Sequence, residues 1–213
     1  MKKLVLFSAI ICFTGVTFAQ GDKYTNAMKT NIALLDSMRA RGNYAELANN
    51  FERIGDAEKT QWLPYYYAAY CTVTPAYSGN DVSQKDALAD KAQQLIDKAE
   101  AILGKENSET DVIKSMIASA HMTVNPQARY MTFGPVYAGY IAKSKSLDST
   151  NPRPLLIEAE GKFYTPREYG GGPDAAKEYF DKSNALYGKF QPESELSPNW
   201  GKSSLLYFLS QYK

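Results

Sequence analysis

Few side chains in this sequence have the type and spacing that metal binding or catalysis requires. The single histidine, His121, lies in a predicted helix, and Cys71 is the one cysteine beyond the N-terminal segment. A zinc site needs three or four nitrogen or sulfur ligands, and acid–base catalysis needs a second proton-handling group within reach. We therefore predict a structural or surface role for His121, no metal site and no cofactor.

Two further patterns have catalytic potential, but we interpret one as surface charges and the other as a turn. Glu158 and Glu160 stand two residues apart in a predicted helix, so they face different directions and are expected to be surface charges. Gly170 to Gly172 precede a helix N-terminus, where free N–H groups could bind phosphate. Because no Gly-Lys-Ser/Thr follows and Pro173 lacks an N–H, a turn is favoured. We predict a protein that is not an enzyme, since carboxylate-only catalysis would need a facing acidic pair.

Tyrosine is the residue type with the most binding potential, at 16 of 213 residues. A tyrosine presents an apolar ring face and a polar hydroxyl, which suits contact with a peptide or a sugar. The alternative is that most of these rings pack between helices. Two predicted helices carry the aromatic clusters, and the candidate partner-binding residues in them are Tyr66, Tyr70, Tyr130, Phe133 and Tyr137.

The N-terminus has the pattern of a secretory signal peptide. Lys2 and Lys3 precede an apolar run that ends at Phe18, and small residues at positions 17 and 19 predict cleavage before Gln20. The run is shorter than the roughly 18–20 residues that span a bilayer. We therefore expect residues 1–19 to be removed, no membrane insertion afterwards, and a periplasmic or secreted protein.

The composition of the exported part narrows the class of partner. Without Lys2 and Lys3, the basic residues fall from 24 to 22 against 23 acidic residues, a net charge of −1. A nearly neutral chain has no electrostatic attraction to nucleic acid or to an anionic membrane. Cys71 has no cysteine partner and lies in an apolar run, so we expect it to be buried.

Regular spacing of apolar residues predicts helices that recur along the chain. One stripe, with steps of four and three residues, is centred on Phe51, Ile96, Ile141 and Phe180. These centres are 45, 45 and 39 residues apart. A regular step of about 20–50 residues is typical of stacked repeats.

The segment Gly42 to Ile54 resembles the second half of a tetratricopeptide repeat. Gly42, Tyr44 and Phe51 match the turn glycine and the aromatic positions of that family, and the stripe near Phe180 matches again. The first-helix pattern of the family is not recognisable, and the steps exceed its usual spacing of about 34 residues. The resemblance implies a divergent array that binds a protein or peptide, although a fold alone does not establish a function.

We predict an all-α fold in which antiparallel helical hairpins stack as a tetratricopeptide-like right-handed superhelix. Residues 20–213 form one domain, and whether the first helix pair joins the stack or crosses it is open. A C-terminal helix covers the end of the stack, because an uncovered apolar end invites aggregation. The predicted units are 22–56, 57–104, 108–150 and 152–190, with the capping helix at 200–212.

Glycine and proline predict several helix boundaries. The third helix is expected to open between Asp56 and Thr60, and a loop is expected from Thr74 to Asn80. Gly104 should end a helix, and Pro173 should lie in the first turn of another. Gly134-Pro135 predicts a kink or a break near Phe133.

Two binding functions fit these observations. The first is an exported scaffold that binds a protein or peptide. The second is a binding module for a glycan or cell-wall fragment, which would require tyrosines that converge in one surface groove. Exposed apolar ends could also allow the protein to form a homodimer.

Overall fold

The structure, a computed structural model, describes the backbone of residues 15–41, 43–79 and 81–212, and the side chains of the same residues from 21 onward except 36–42. Every regular element in these ranges is helical, which confirms the predicted all-α class. The helices are α1 (Gly15–Arg41), α2 (Tyr44–Glu58), α3 (Leu63–Ser78), α4 (Lys85–Leu103), α5 (Ser108–Val124), α6 (Pro126–Leu147), α7 (Arg153–Tyr164), α8 (Pro173–Tyr187) and α9 (Lys202–Ser210), with a 3₁₀ turn at Arg167–Tyr169.

Every second helix contributes the centre of the predicted stripe to a core. Phe51, Ile96, Ile141 and Phe180 are all buried, and they lie on α2, α4, α6 and α8 respectively. Between them, α3 packs against α2, α4 and α5, and α5 packs against α4, α6 and α7. Each intervening helix therefore contacts both its own partner and the next unit, as stacked helical hairpins require.

The buried residues form two clusters. The larger one extends from Met28 on α1 to Ile157 on α7, and it includes Trp200 and the buried Cys71. The smaller one joins α7, α8 and α9, where the rings of Phe180 and Phe208 stack with centroids 4.9 Å apart. The last helix thus covers the apolar face of α8, as the sequence predicts.

Several boundaries differ from the sequence prediction. The second helix continues to Glu58, so the third begins at Leu63 and not between residues 56 and 60. Pro75 lies inside α3, where the expected loop would begin. Pro75 has no N–H to bond to the carbonyl of Cys71, and the helix ends one turn later, where the N–H of Gly79 bonds to the Pro75 carbonyl.

Other glycine and proline signals have mixed outcomes. Gly104 ends α4 with a positive φ of 68°, and Pro173 is the first residue of α8, both as predicted. The break near Phe133 is not found, because α6 continues through Pro135. Proline removes the bond to the carbonyl of Met131, a residue so exposed that water can bond to it instead.

The predicted leader falls mostly outside the described residues. Residues 1–14 and the side chains around the cleavage site before Gln20 are not described, so cleavage stays a prediction. Among the helices that are described, none has the length and apolar character needed to cross a membrane.

A fully buried arginine joins the two clusters. Arg153, at the start of α7, donates to the Glu109 carboxylate at 2.8 Å and to the carbonyl of Pro198. Its guanidinium also lies over the rings of Phe190 and Trp200, 4.8 and 5.4 Å from their centroids. One side chain therefore connects α5, α7 and the 188–201 segment.

Trp200 extends this connection to α3. Its indole N–H donates to the Tyr66 hydroxyl at 2.8 Å, and that hydroxyl donates to the second carboxylate oxygen of Glu109, also at 2.8 Å. The ring of Tyr70 stacks on Trp200 with centroids 4.3 Å apart. We call Arg153, Glu109, Tyr66 and Trp200 the arginine hub.

We predict that Arg153→Met lowers the free energy of unfolding by about 3–5 kcal/mol, because removing one partner of a buried ion pair leaves the other charge uncompensated. Urea unfolding followed by circular dichroism measures the change. Arg167→Met is the matched control, since Arg167 pairs with Asp174 on the surface, and no measurable change is expected there. Equal losses in the two variants would contradict the role given to the hub.

Asp111 is a second buried ionisable side chain. It is 1% exposed, and neither carboxylate oxygen has a hydrogen-bond partner in the described part of the chain. Burial raises the pKa of Asp111 to about 6, although Lys143 and Lys114 oppose the shift. The folded state therefore binds a proton between about pH 4 and 6 that the unfolded state releases, so this contribution to stability falls as pH rises through that window.

We predict that the substitution Asp111→Asn is more favourable for the stability of the folded protein at pH 7.5 than at pH 4.5. The difference between variant and wild type in unfolding free energy should shift by about 1–3 kcal/mol between these pH values, since one pKa unit corresponds to about 1.4 kcal/mol. Urea unfolding of both proteins at both pH values measures it. The same difference at pH 4.5 and 7.5 would show that Asp111 has an ordinary pKa.

Candidate functional site

Large apolar side chains are exposed along the first half of α6 and at the ends of α7 and α9. Tyr130 and Met131 on α6 are 61% and 80% exposed. Tyr164 at the end of α7 is 71% exposed, and Tyr207 on α9 is 58% exposed. Clustered exposed apolar groups are typical of binding sites, whereas single ones are common everywhere. We call Tyr130, Tyr137, Tyr164 and Tyr207 the tyrosine surface; Tyr137 is the partly buried member and packs against the larger cluster.

Two of these tyrosines form one stripe on α6, seven residues apart. The ring of Tyr130 lies over Gly134, where a Cβ atom would stand only 3.1 Å from a ring carbon. The hydroxyl of Tyr137 donates to the carbonyl of Ile157 on α7 at 2.8 Å. It can approach so closely because Gly161 has no side chain: a Cβ there would lie 2.6 Å from the hydroxyl oxygen.

The connection between α6 and α7 is short, at residues 148–152, so the two helices pack antiparallel. Lys145 pairs with Glu158 at 2.8 Å, and Tyr137, earlier on α6, lies close to Gly161, later on α7. In an antiparallel pair, the N-terminal end of α6, which carries Tyr130, lies on the same side as the C-terminal end of α7, which carries Tyr164. The exposed rings of Tyr130 and Tyr164 are thus on the same end of this helix pair.

Tyr164 and Tyr207 both contact the ring of Phe208. The centroid distances are 5.9 Å for Tyr164 and 5.4 Å for Tyr207, with edge-to-face geometry in each pair. Phe208 is buried against α8, so it fixes the position of both exposed rings. The tyrosine surface therefore draws on three helices: Tyr164 and Tyr207 rest on the smaller core, whereas Tyr137 packs against the larger one.

A buried carboxylate lies beneath the tyrosine surface. Glu160 on α7 is 8% exposed and accepts a hydrogen bond from Ser204 of α9 at 2.7 Å. It also bonds to the hydroxyl of Tyr77, at the end of α3. The expectation that Glu160 is a surface charge is therefore wrong. The expectation failed because residue spacing within α7 carries no information about α9, which covers this face of the helix.

The environment keeps the neighbouring phenols protonated. Burial, followed by the charge of Glu160, raises the pKa of Tyr77 and of Tyr164. Burial also raises the pKa of Tyr137, with smaller effects from Glu158 and Glu160. These groups are therefore neutral phenols near neutral pH, and the hydroxyls of Tyr77 and Tyr137 are already bonded to Glu160 and to the Ile157 carbonyl. The exposed rings of the surface can stack on a flat apolar ligand.

The five candidate residues from the sequence separate into two groups. Tyr130, Phe133 and Tyr137 lie on α6, and the first and third belong to the tyrosine surface. Tyr66 is fully buried in the arginine hub, so its assignment as a partner contact is corrected to a core role. Tyr70 is partly buried and stacks on Trp200. Their helix packs against three others, which is why its tyrosines face the interior.

His121 has the structural surroundings that the sequence predicts. Its Nδ1 atom is 2.7 Å from an Asp86 oxygen, and its Nε2 atom is 3.5 Å from Asp90. Its ring stacks on Phe133 with centroids 5.0 Å apart. Within the described ranges, no three His, Cys, Asp or Glu side chains are grouped so that they could hold a metal ion.

The glycine run before α8 is a turn whose N–H groups are already used. The amides of Gly170 and Gly171 bond to the carbonyls of Arg167 and Pro166, and that of Gly172 bonds to Lys162. A Cβ at Gly171 would lie 2.3 Å from the Thr165 carbonyl oxygen, so the turn needs glycine there. The turn interpretation is confirmed.

A cavity of about 540 Å³ lies elsewhere, between α2, α3 and α4. Lys98 lies over the ring of Tyr65, 5.1 Å from its centroid, and Tyr65 donates to Asp56 at 2.7 Å. Ala101 and Ile102 complete an apolar wall. This cavity is a second candidate for ligand binding, but it has a single aromatic ring.

Sequence reasoning missed Tyr77, Glu160, Tyr164 and Tyr207. One signal for Tyr207 is the run Leu205 to Leu209, in which consecutive residues are apolar or aromatic. A helix with apolar residues on more than one side has two faces to bury. Here Leu205 and Phe208 face the core, while Leu206 and Tyr207 are exposed.

Comparison of the sequence with protein-family models and with curated proteins gives no match. Among solved structures, the chain is similar to the HusA haemophore from Porphyromonas gingivalis, with a TM-score of 0.78 and 34% sequence identity. The match covers 89% of this chain and 92% of the haemophore. Sequence and fold thus agree over most of both chains, and this protein belongs to the family of the HusA haemophore.

Proposed function

We propose that this protein is an exported, non-enzymatic binding protein that captures haem on the tyrosine surface. The observation that carries the proposal is the exposed aromatic surface on three helices, in a chain that is 34% identical to a haemophore. Haem is a flat macrocycle with apolar faces, which can stack on tyrosine rings. The N-terminal export pattern supports capture outside the cytoplasm.

Capture in this site uses the macrocycle and not the iron. His121 is unsuited to ligate iron, because both of its ring nitrogens face carboxylates and its ring is stacked on Phe133. The Tyr137 hydroxyl already donates to the Ile157 carbonyl, so it is not free to ligate iron. We therefore expect stacking and hydrogen bonding to provide the affinity.

The protein-binding and glycan-binding hypotheses remain the alternatives. A tetratricopeptide-like stack is supported by the buried stripe centres on every second helix and would suit a protein partner. The tyrosine surface would also suit a sugar ring. A flat apolar ligand is favoured because the exposed groups include Met131 and Leu206 besides the tyrosines. The homodimer expected from the sequence stays a prediction.

We predict that the mature protein, beginning at Gln20, binds haem and that Tyr130→Ala/Tyr164→Ala weakens binding by about 10–30-fold. The two lost ring contacts are worth about 1 kcal/mol each beyond apolar burial. Absorbance titration measures the affinity. The matched control is Ile102→Ala, in the cavity beside Tyr65, which should bind like wild type.

Iron-free protoporphyrin IX separates stacking from coordination. It should bind wild-type protein about as tightly as haem and lose affinity in the double variant. Binding of haem without binding of the iron-free ring would contradict capture through the macrocycle. A loss of affinity in Ile102→Ala alone would move the site to the Tyr65 cavity, and failure of wild type to bind haem would reject the proposed function.

A further inference from the structure

The first half of α6 carries Tyr130 but contributes little to either core. The buried residues of this helix are Ile141 and Ser144, both in its second half. Residues 126–132 are exposed apart from Arg129, which is partly buried. Apolar packing is therefore a weak constraint on the position of the half that bears Tyr130.

A polar cluster attaches this half of α6 to α4 and α5. The two terminal nitrogens of Arg129 donate to the two carboxylate oxygens of Asp86 on α4, at 2.6 and 2.9 Å. Arg129 also donates to the carbonyl of His121 on α5 at 3.1 Å. Paired parallel hydrogen bonds of this kind fix orientation as well as distance.

His121 completes the cluster on its other side. Its Nδ1 atom shares an oxygen of Asp86 with Arg129, and its ring stacks on Phe133 at an interplanar angle of 17°. Arg129 and Phe133 are one turn apart on α6, and Tyr130 lies between them in the sequence. The helix is thus held at two points on either side of the exposed tyrosine.

The charges in this cluster suit a persistent attachment. Hydrogen bonds from Arg129, and next from His121, lower the pKa of Asp86 to about 2, so the carboxylate is ionised at any ordinary pH. Asp90 also faces the His121 ring, 3.5 Å from Nε2. The Asp86 and Arg129 side chains are partly exposed, so water competes for them and the attachment is of moderate strength.

We propose that Asp86, Arg129 and His121 form a clamp that positions Tyr130 on the tyrosine surface, so that Asp86 and Arg129 are positioning residues for ligand capture. The predicted effect of the clamp on ligand binding rests on the proposed function. The clamp itself is a property of the free protein, so it can be tested separately. Neither Asp86 nor Arg129 needs to touch the ligand.

Hydrogen exchange in the ligand-free protein tests the clamp itself. Asp86→Asn should increase exchange of amides in residues 129–138 by about three- to tenfold, with little change in α7 and α8. Glu106→Gln is the matched control, because Glu106 pairs with Lys143 in the other half of α6 and should leave residues 129–138 unchanged. Unchanged exchange in Asp86→Asn would overturn the clamp whether or not haem binds.

A double-mutant cycle tests how the clamp acts on binding. Asp86→Asn should weaken haem binding by about three- to tenfold, and Arg129→Lys, which keeps the charge without the paired geometry, should weaken it less. In a Tyr130→Ala background, Asp86→Asn should cause no further loss. An equal loss in both backgrounds would overturn positioning through Tyr130. Failure of wild type to bind haem would reject the proposed function and leave the exchange result to decide the clamp.

Discussion

The buried ion pair between Arg153 and Glu109 is the interaction on which the rest of the structure depends. A charge in an apolar interior is costly unless it is paired and hydrogen-bonded, so its partners must stay in place. Here those partners lie on α5 and on the segment before α9, and Trp200 and Tyr66 extend the connection to α3. The two cores meet at this hub, and its geometry fixes where α7 begins and how the chain approaches α9.

That constraint places the tyrosine surface at the other end of α7. Arg153 begins this helix and Tyr164 ends it, with Glu160 bonded to Ser204 of α9 in the turn before. The first half of α6 is attached differently, by partly exposed polar groups around Asp86. We infer that Tyr164 and Tyr207, positioned by the hub and by Phe208, are held more firmly than Tyr130.

Local periodicity was enough to predict the fold class, the alternating register and the capping helix. The stripe centres at Phe51, Ile96, Ile141 and Phe180 are buried because the apolar stripe of a helix packs against its neighbours. The site was only partly predictable. Tyr130 and Tyr137 were found from their own helix, but Tyr66 has the same residue type and is fully buried. Glu160 and Tyr207 depend on contacts between α7 and α9, separated by about forty residues, and no local pattern contains that information.

The most direct test of haem capture on the tyrosine surface is a nuclear magnetic resonance titration of the mature protein with gallium protoporphyrin IX, a diamagnetic substitute for haem. Amide signals should shift most in residues 129–138, 160–165 and 203–208, because ring currents of a stacked macrocycle act over short distances. Signals around Ile102 should stay unchanged. Shifts centred on Tyr65, Lys98 and Ile102, or no shifts at saturating ligand, would contradict the account.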